Sequence, residues 1–90
     1  MKRVRLFISG EVQGVCYRSE TVRQARSLDV RGWVKNLRDG RVEALVEGPG
    51  DKVDALIEWC GKGPAFASVR GVDVREERYT GEHNNFSIHY

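Results

Sequence analysis

Near its start the chain reads Arg3-Val-Arg-Leu-Phe-Ile-Ser-Gly-Glu-Val-Gln-Gly-Val-Cys-Tyr-Arg18. Val4, Leu6 and Ile8 alternate with Arg3, Arg5, Phe7 and Ser9, the pattern of a half-buried strand over 3–12. Residues 13–18 then read as a glycine-containing turn, with Ser19 as the expected N-cap of a helix running to about Leu28. Val22, Ala25 and Leu28 supply the apolar stripe of that helix. Asp29 stands where it should end, because Asp accepts a left-handed conformation more readily than most residues.

Outward from this start, Asp39-Gly40 is a strong hairpin signal between strands expected over 31–38 and 41–48. Pro49-Gly50 breaks the second of these, and Asp51 is placed to cap a helix whose Val53, Leu56, Ile57 and Cys60 repeat at helical spacing. Gly61, Gly63 and Pro64 close it. Val69, Val72 and Val74 mark a fourth strand running towards Tyr79, with Gly71 a candidate bulge. After the polar stretch 80–85, Phe86, Ile88 and Tyr90 alternate into a short last strand. The order βαββαβ plus a C-terminal strand predicts an α+β, ferredoxin-like split β-α-β sandwich in one domain over 1–90. Its expected form is an antiparallel sheet with two helices on one face.

Ninety residues with 40% hydrophobic and 31% charged content suit one small soluble domain rather than a disordered tail. The net charge of +2 is too modest to argue for nucleic acid. Lys2, Arg3 and Arg5 read equally well as a solvated edge strand. No stretch is long and apolar enough for a membrane span or a signal-peptide core, so the expected setting is cytoplasmic. Cys16 and Cys60 lack metal-ligand spacing and are expected as free thiols, Cys60 as a buried small hydrophobe. Cys16 has no nearby histidine to activate it as a nucleophile.

The chemistry concentrates in two places. In the turn, successive N–H groups at Gly14, Val15, Cys16 and Tyr17 can converge on an anion at a helix N-terminus. Arg18 adds a planar fork of donors matched to phosphate oxygens. In Gly32-Trp-Val-Lys-Asn36, a neutral amide ends a strand parallel to the first, so both strand ends emerge on the same side of the sheet. Arg18 and Asn36 can then share one anion site. Simpler readings exist. Arg18 could be a solvated helix-start arginine, although a cation there is unfavourable without an anion. Asn36 could be a polar strand end, and Trp33 and Tyr17 packing residues. Asp51 and Asp54 read as helix-start charges rather than a metal pair.

Both segments resemble the signatures of the acylphosphatase family. The first match is Ile8-Ser-Gly-Glu-Val-Gln-Gly-Val-Cys-Tyr-Arg18; the second is Gly32-Trp-Val-Lys-Asn-Leu-Arg-Asp-Gly-Arg-Val-Glu-Ala-Leu-Val-Glu-Gly48. The resemblance spans essentially the whole chain. It implies Arg18 as the phosphate-binding arginine, Asn36 as the water-orienting asparagine, and the backbone of Gly14 to Arg18 as the cradle. It also implies hydrolysis of a small-molecule acyl phosphate, with no metal or other cofactor and no nucleic-acid or membrane partner. A monomer is the expected state. The departures are Tyr17, where phenylalanine is usual, Asp29 for a glycine, and His89 for an arginine. None removes a catalytic group.

That chemistry is self-consistent. An acyl phosphate expels a carboxylate, a weak base that needs no protonation, so the task reduces to placing a water in line and stabilising the phosphoryl oxygens. A carboxylate in place of Asn36 would repel the phosphate by about 4 kcal/mol per unit charge at 4 Å and an effective dielectric near 20. An amide holds water without that cost. The alternatives are a nucleic-acid-binding ferredoxin-like module, for which no RNP-like aromatic run is present, and a non-catalytic anion-binding domain. A third is the acylphosphatase-like domain of a larger hydrogenase-maturation carbamoyltransferase. A chain running from Met1 to just beyond the last strand favours the free-standing enzyme.

Overall fold

A computed structural model describes residues 1–90. Its elements are β1 (Lys2–Glu11), α1 (Tyr17–Ser27), β2 (Arg31–Asn36), β3 (Val42–Gly48), α2 (Gly50–Lys62), β4 (Ser68–Glu77) and β5 (Phe86–Ile88). The sheet order is β4-β1-β3-β2-β5. β3 runs antiparallel to both β1 and β2, so those two strands point the same way, as the intervening helix requires. α1 packs over β2 and β5, α2 over β1, β3 and β4, and the helices touch each other. This is the ferredoxin-like βαββαβ order with one added strand. That strand departs from the antiparallel expectation: β5 lies parallel to β2, pairing Gly32 with Phe86 and Val34 with Ile88, so the sheet is mixed. The long return over 78–85 crosses the sheet and allows parallel docking.

The core is a single cluster between helices and sheet. Val4, Leu6 and Ile8 of β1 are completely buried with Val34, Val42, Ala44, Val46, Val53, Leu56 and Cys60. Alternation therefore locates the buried face of β1 correctly, but not its place in the sheet. β1 is no edge strand: it pairs with β3 on one side and β4 on the other. Lys2, Arg3 and Arg5 are bound to carboxylates rather than merely solvated, as in Arg5 Nη1 to Glu43 Oε2 at 2.6 Å and Arg3 Nε to Glu77 Oε1 at 3.0 Å. Every residue of β3 is buried, even Glu43 and Glu47 on the face away from the helices. The cationic stems of Arg3 and Arg5 cover them there.

Three local expectations shift by a residue or two. Helix α1 starts at Tyr17, with Cys16 at the N-cap in a left-handed conformation (φ 63°, ψ 21°); Ser19 sits in the first turn, donating its hydroxyl to the Cys16 carbonyl at 3.1 Å. Helix α2 starts at Gly50 after Pro49, which leaves Asp51 as a favourable first-turn charge rather than the cap. The β2–β3 connection is longer than a two-residue hairpin: Leu37 N–H bonds Arg41 C=O, Gly40 N–H bonds Leu37 C=O, and Gly40 takes φ 95°. Asp29 does adopt φ 56°. Around it, Val30 N–H reaches Ala25 C=O and Asp29 N–H reaches Arg26 C=O, the paired bonds of a Schellman end. In β4 the register slips between Ser9↔Gly71 and Gly10↔Val69, making Arg70 the extra residue beside Gly71. That bulge returns Val69 to the face of Val72 despite their spacing of three.

Candidate active site

Where β1 ends, the backbone alternates in hand. Gly14 has φ 74° and Cys16 φ 63°, with Val15 between them and right-handed helix after them. Such alternation turns successive N–H groups inward and makes a concavity for an anion. The N–H groups of Gly14, Val15 and Cys16 donate to no backbone carbonyl. Those of Tyr17, Arg18 and Ser19 fall in the first turn of α1, where a helix offers no internal acceptor. Gly14 is suited to this conformation because a side chain at its φ would be strained. Cys16, which has a side chain, holds its left-handed conformation at a cost in backbone strain.

The parallel course of β1 and β2 brings Asn36, the last residue of β2, to the same end of the sheet. A hollow of about 130 Å³ is lined there by Val12, Gly14, Cys16, Tyr17, Arg18, Ser19, Asn36 and Ile88. The two groups singled out in the sequence thus face one space. The Arg18 guanidinium has no carboxylate within ion-pair distance; it lies over the Tyr90 ring, 5.4 Å from the centroid. Asn36 Oδ1 is buried and accepts no hydrogen bond from the protein. A buried amide oxygen without a donor is costly, and this one belongs to a residue that lines the hollow.

A family model for acylphosphatases matches residues 4–88. This chain belongs to the acylphosphatase family. Relatives named acylphosphatase include one from Methylococcus capsulatus, 51% identical over 98% of this chain and 96% of its own length. Another, from Syntrophus aciditrophicus, is 51% identical over 100% of this chain and 94% of its own. Among solved structures, an acylphosphatase from Bacillus subtilis superposes with a TM-score of 0.96 at 39% identity, covering 100% of both chains. Family membership carries the enzymatic class, a hydrolase of the acylphosphatase type.

Not every residue singled out in the sequence plays the same part in this acylphosphatase site. Tyr17 borders the hollow, but its side chain belongs to the core, 1% exposed, with the hydroxyl donating to the Cys60 carbonyl at 2.6 Å. Burial raises its pKa far above the usual phenol value, so it stays protonated. This bond ties the start of α1 to the end of α2. Val15 lies on the outer side of the loop, against a second hollow. Cys60 is fully buried and burial pushes its thiol up to about 12, which removes it as a nucleophile. Cys16 and Cys60 are both free.

Two participants escaped the sequence reading. Gln13 donates from Nε2 to Leu37 C=O at 2.7 Å and Arg41 C=O at 3.0 Å, clamping the cradle to the hairpin that follows Asn36. Its only sequence signal is a long polar amide beside a turn. The last strand is the other: alternation of Phe86, Ile88 and Tyr90 predicts one shared face, but only its docking on β2 reveals that Ile88 walls the hollow and Tyr90 backs Arg18. His89 points to the opposite face and stacks on Trp33 at 5.2 Å.

Proposed function

We propose that the hollow holds the phosphoryl group of an acyl phosphate, with Arg18 and the 14–18 backbone binding its oxygens and Asn36 orienting the attacking water. The observation that carries this reading is the pair of unsatisfied groups on one small space: a guanidinium with no carboxylate and a buried amide oxygen with no donor. Asn36 Oδ1 accepts a hydrogen bond from the water, which attacks phosphorus in line with the acyl oxygen. The P–O bond to the acyl group breaks, a carboxylate departs, and the water's proton passes to a phosphoryl oxygen. Arg18 and the N–H groups stabilise charge on the equatorial oxygens. These roles require no metal ion.

The reading extends to a monomer acting on a small molecule in the cytoplasm. In support of the cytoplasmic setting, both thiols are free. A nucleic-acid role fits poorly, because the open sheet face is interleaved with the carboxylates of Glu43, Glu47 and Glu77. The test is benzoyl phosphate hydrolysis in EDTA by the wild type, Arg18→Ala and Asn36→Ala, with thermal melts alongside. Each substitution should lower kcat/KM by about 10²–10³-fold with the melt little changed. Turnover close to wild type in either variant overturns the assignment.

A further inference from the structure

A hollow of 130 Å³ is below the roughly 300–1,000 Å³ of ordinary ligand pockets and has room for little more than one small group. If the phosphoryl group fills it, the acyl portion must lie outside. The structure offers an adjoining place for it. On the outer side of the cradle loop, a shallow groove of about 460 Å³ is lined by Val15, Glu20, Pro64, Ala65 and Phe66, and it shares Gly14 and Cys16 with the phosphate hollow. The loop therefore forms the ridge between two compartments. Phe66 is 85% exposed, an unusual state for an aromatic side chain with no packing role in the core. The segment carrying it follows α2, whose end is anchored to the cradle by the Tyr17–Cys60 bond, so the Phe66 wall is held against the catalytic loop.

We infer that this groove is the acyl subsite and that Phe66 selects acyl phosphates with an uncharged, apolar body, aryl above all. The inference rests on the phosphate-site reading above. Two features define the class. Pro64, Ala65, Phe66 and Val15 present an apolar surface suited to a flat ring or a branched chain. Glu20 stands at the groove with only a long 3.8 Å contact to Arg23, an exposed cation. Its carboxylate disfavours acyl groups that carry a second negative charge. Acetyl phosphate carries no ring or branched chain for Phe66 to contact.

The experiment compares benzoyl, acetyl and succinyl phosphate as substrates for the wild type, Phe66→Ala and Glu20→Gln. Phe66→Ala should raise KM for benzoyl phosphate about five- to tenfold, the range expected for one partly exposed aromatic contact, with kcat retained. Acetyl phosphate kinetics should stay within about twofold of wild type, since only the non-reacting part of the substrate is touched. Glu20→Gln should improve kcat/KM for succinyl phosphate about threefold relative to benzoyl phosphate, a shift expected for one exposed charge. Equal effects of Phe66→Ala on benzoyl and acetyl phosphate, or no effect on either, overturn the subsite. Those results leave the phosphate site standing, because acetyl phosphate turnover and the Arg18 and Asn36 variants test it separately.

Discussion

The open face of the sheet and the mouth of the cradle use the same kinds of side chain to opposite ends. On the sheet face, Arg3 contacts Glu47, Glu77 and Glu82, while Arg5 contacts Glu43 and Glu77. Thr80 closes the network with hydrogen bonds from its N–H and hydroxyl to Glu47 at 3.0 and 3.1 Å. Aromatic rings are drawn in as well, with Arg5 over Trp33 and both Arg41 and Arg75 over Phe7. At the cradle, Arg18 meets no carboxylate and Asn36 Oδ1 no donor. On the sheet face these polar groups are satisfied within the protein; at the cradle the two candidate site groups are not. The comparison predicts a clean separation of effects: cradle substitutions change rate and spare stability, and sheet-face substitutions do the reverse.

The largest expected effect is at the cradle. Asn36→Asp preserves shape but adds a negative charge beside the phosphoryl oxygens, and about 4 kcal/mol of repulsion corresponds to a roughly 10³-fold fall in kcat/KM. Stopped assays with acetyl phosphate read the loss directly, and a variant retaining half its activity would break the separation. An intermediate effect falls at Tyr17, which joins the two regions of behaviour: it borders the hollow, and its hydroxyl serves the fold. Tyr17→Phe removes the buried bond to the Cys60 carbonyl, and urea unfolding should show a loss of about 1–2 kcal/mol. Its kcat should remain within about twofold of wild type.

The smallest effect is expected on the sheet face. Glu77→Gln removes a partner shared by Arg3 and Arg5, and should cost roughly 0.5–1 kcal/mol in urea with unchanged kinetics. The pH dependence sharpens the point. Hydrogen bonding by Arg5 and Arg3 lowers the Glu77 pKa. Burial by itself would raise the Glu47 pKa, but hydrogen bonds from the Thr80 N–H and Arg3 lower it overall. A carboxyl whose folded pKa is depressed adds stability that is full above the ordinary Glu value near 4.5 and disappears as pH falls through the lowered one. Melting temperature should therefore drop below about pH 4.5, and drop less steeply in Glu77→Gln. Parallel acid profiles for the two proteins would remove these ion pairs from the account of stability.

Much of the fold was legible because its signals are local. Period-two alternation in Val4, Leu6 and Ile8, the helical spacing of Val53, Leu56 and Cys60, and the turn residues Asp39-Gly40 and Pro49-Gly50 depend on neighbouring residues alone. Strand position is different. Arg3 and Arg5 look alike whether β1 is an edge or an interior strand, since what covers them comes from Glu43, Glu47 and Glu77, some forty to seventy positions away. Helix starts are set non-locally for a related reason. Ser19 and Asp51 are good caps by composition, but Cys16 is pinned left-handed by the cradle and Pro49 sets the entry to α2, so neither side chain was needed as a cap.

By itself the sequence determined the order of elements, the family and the two residues of the candidate site, since each is written in residue types at short range. Tertiary structure alone decided that β5 docks parallel to β2, that Gln13 clamps the cradle to the hairpin, and that Asn36 Oδ1 is buried without a donor. It also set the apolar groove of Phe66 against the cradle loop. The physical reason is that pairing, burial and satisfaction belong to groups brought together from distant parts of the chain. No window of sequence contains both partners.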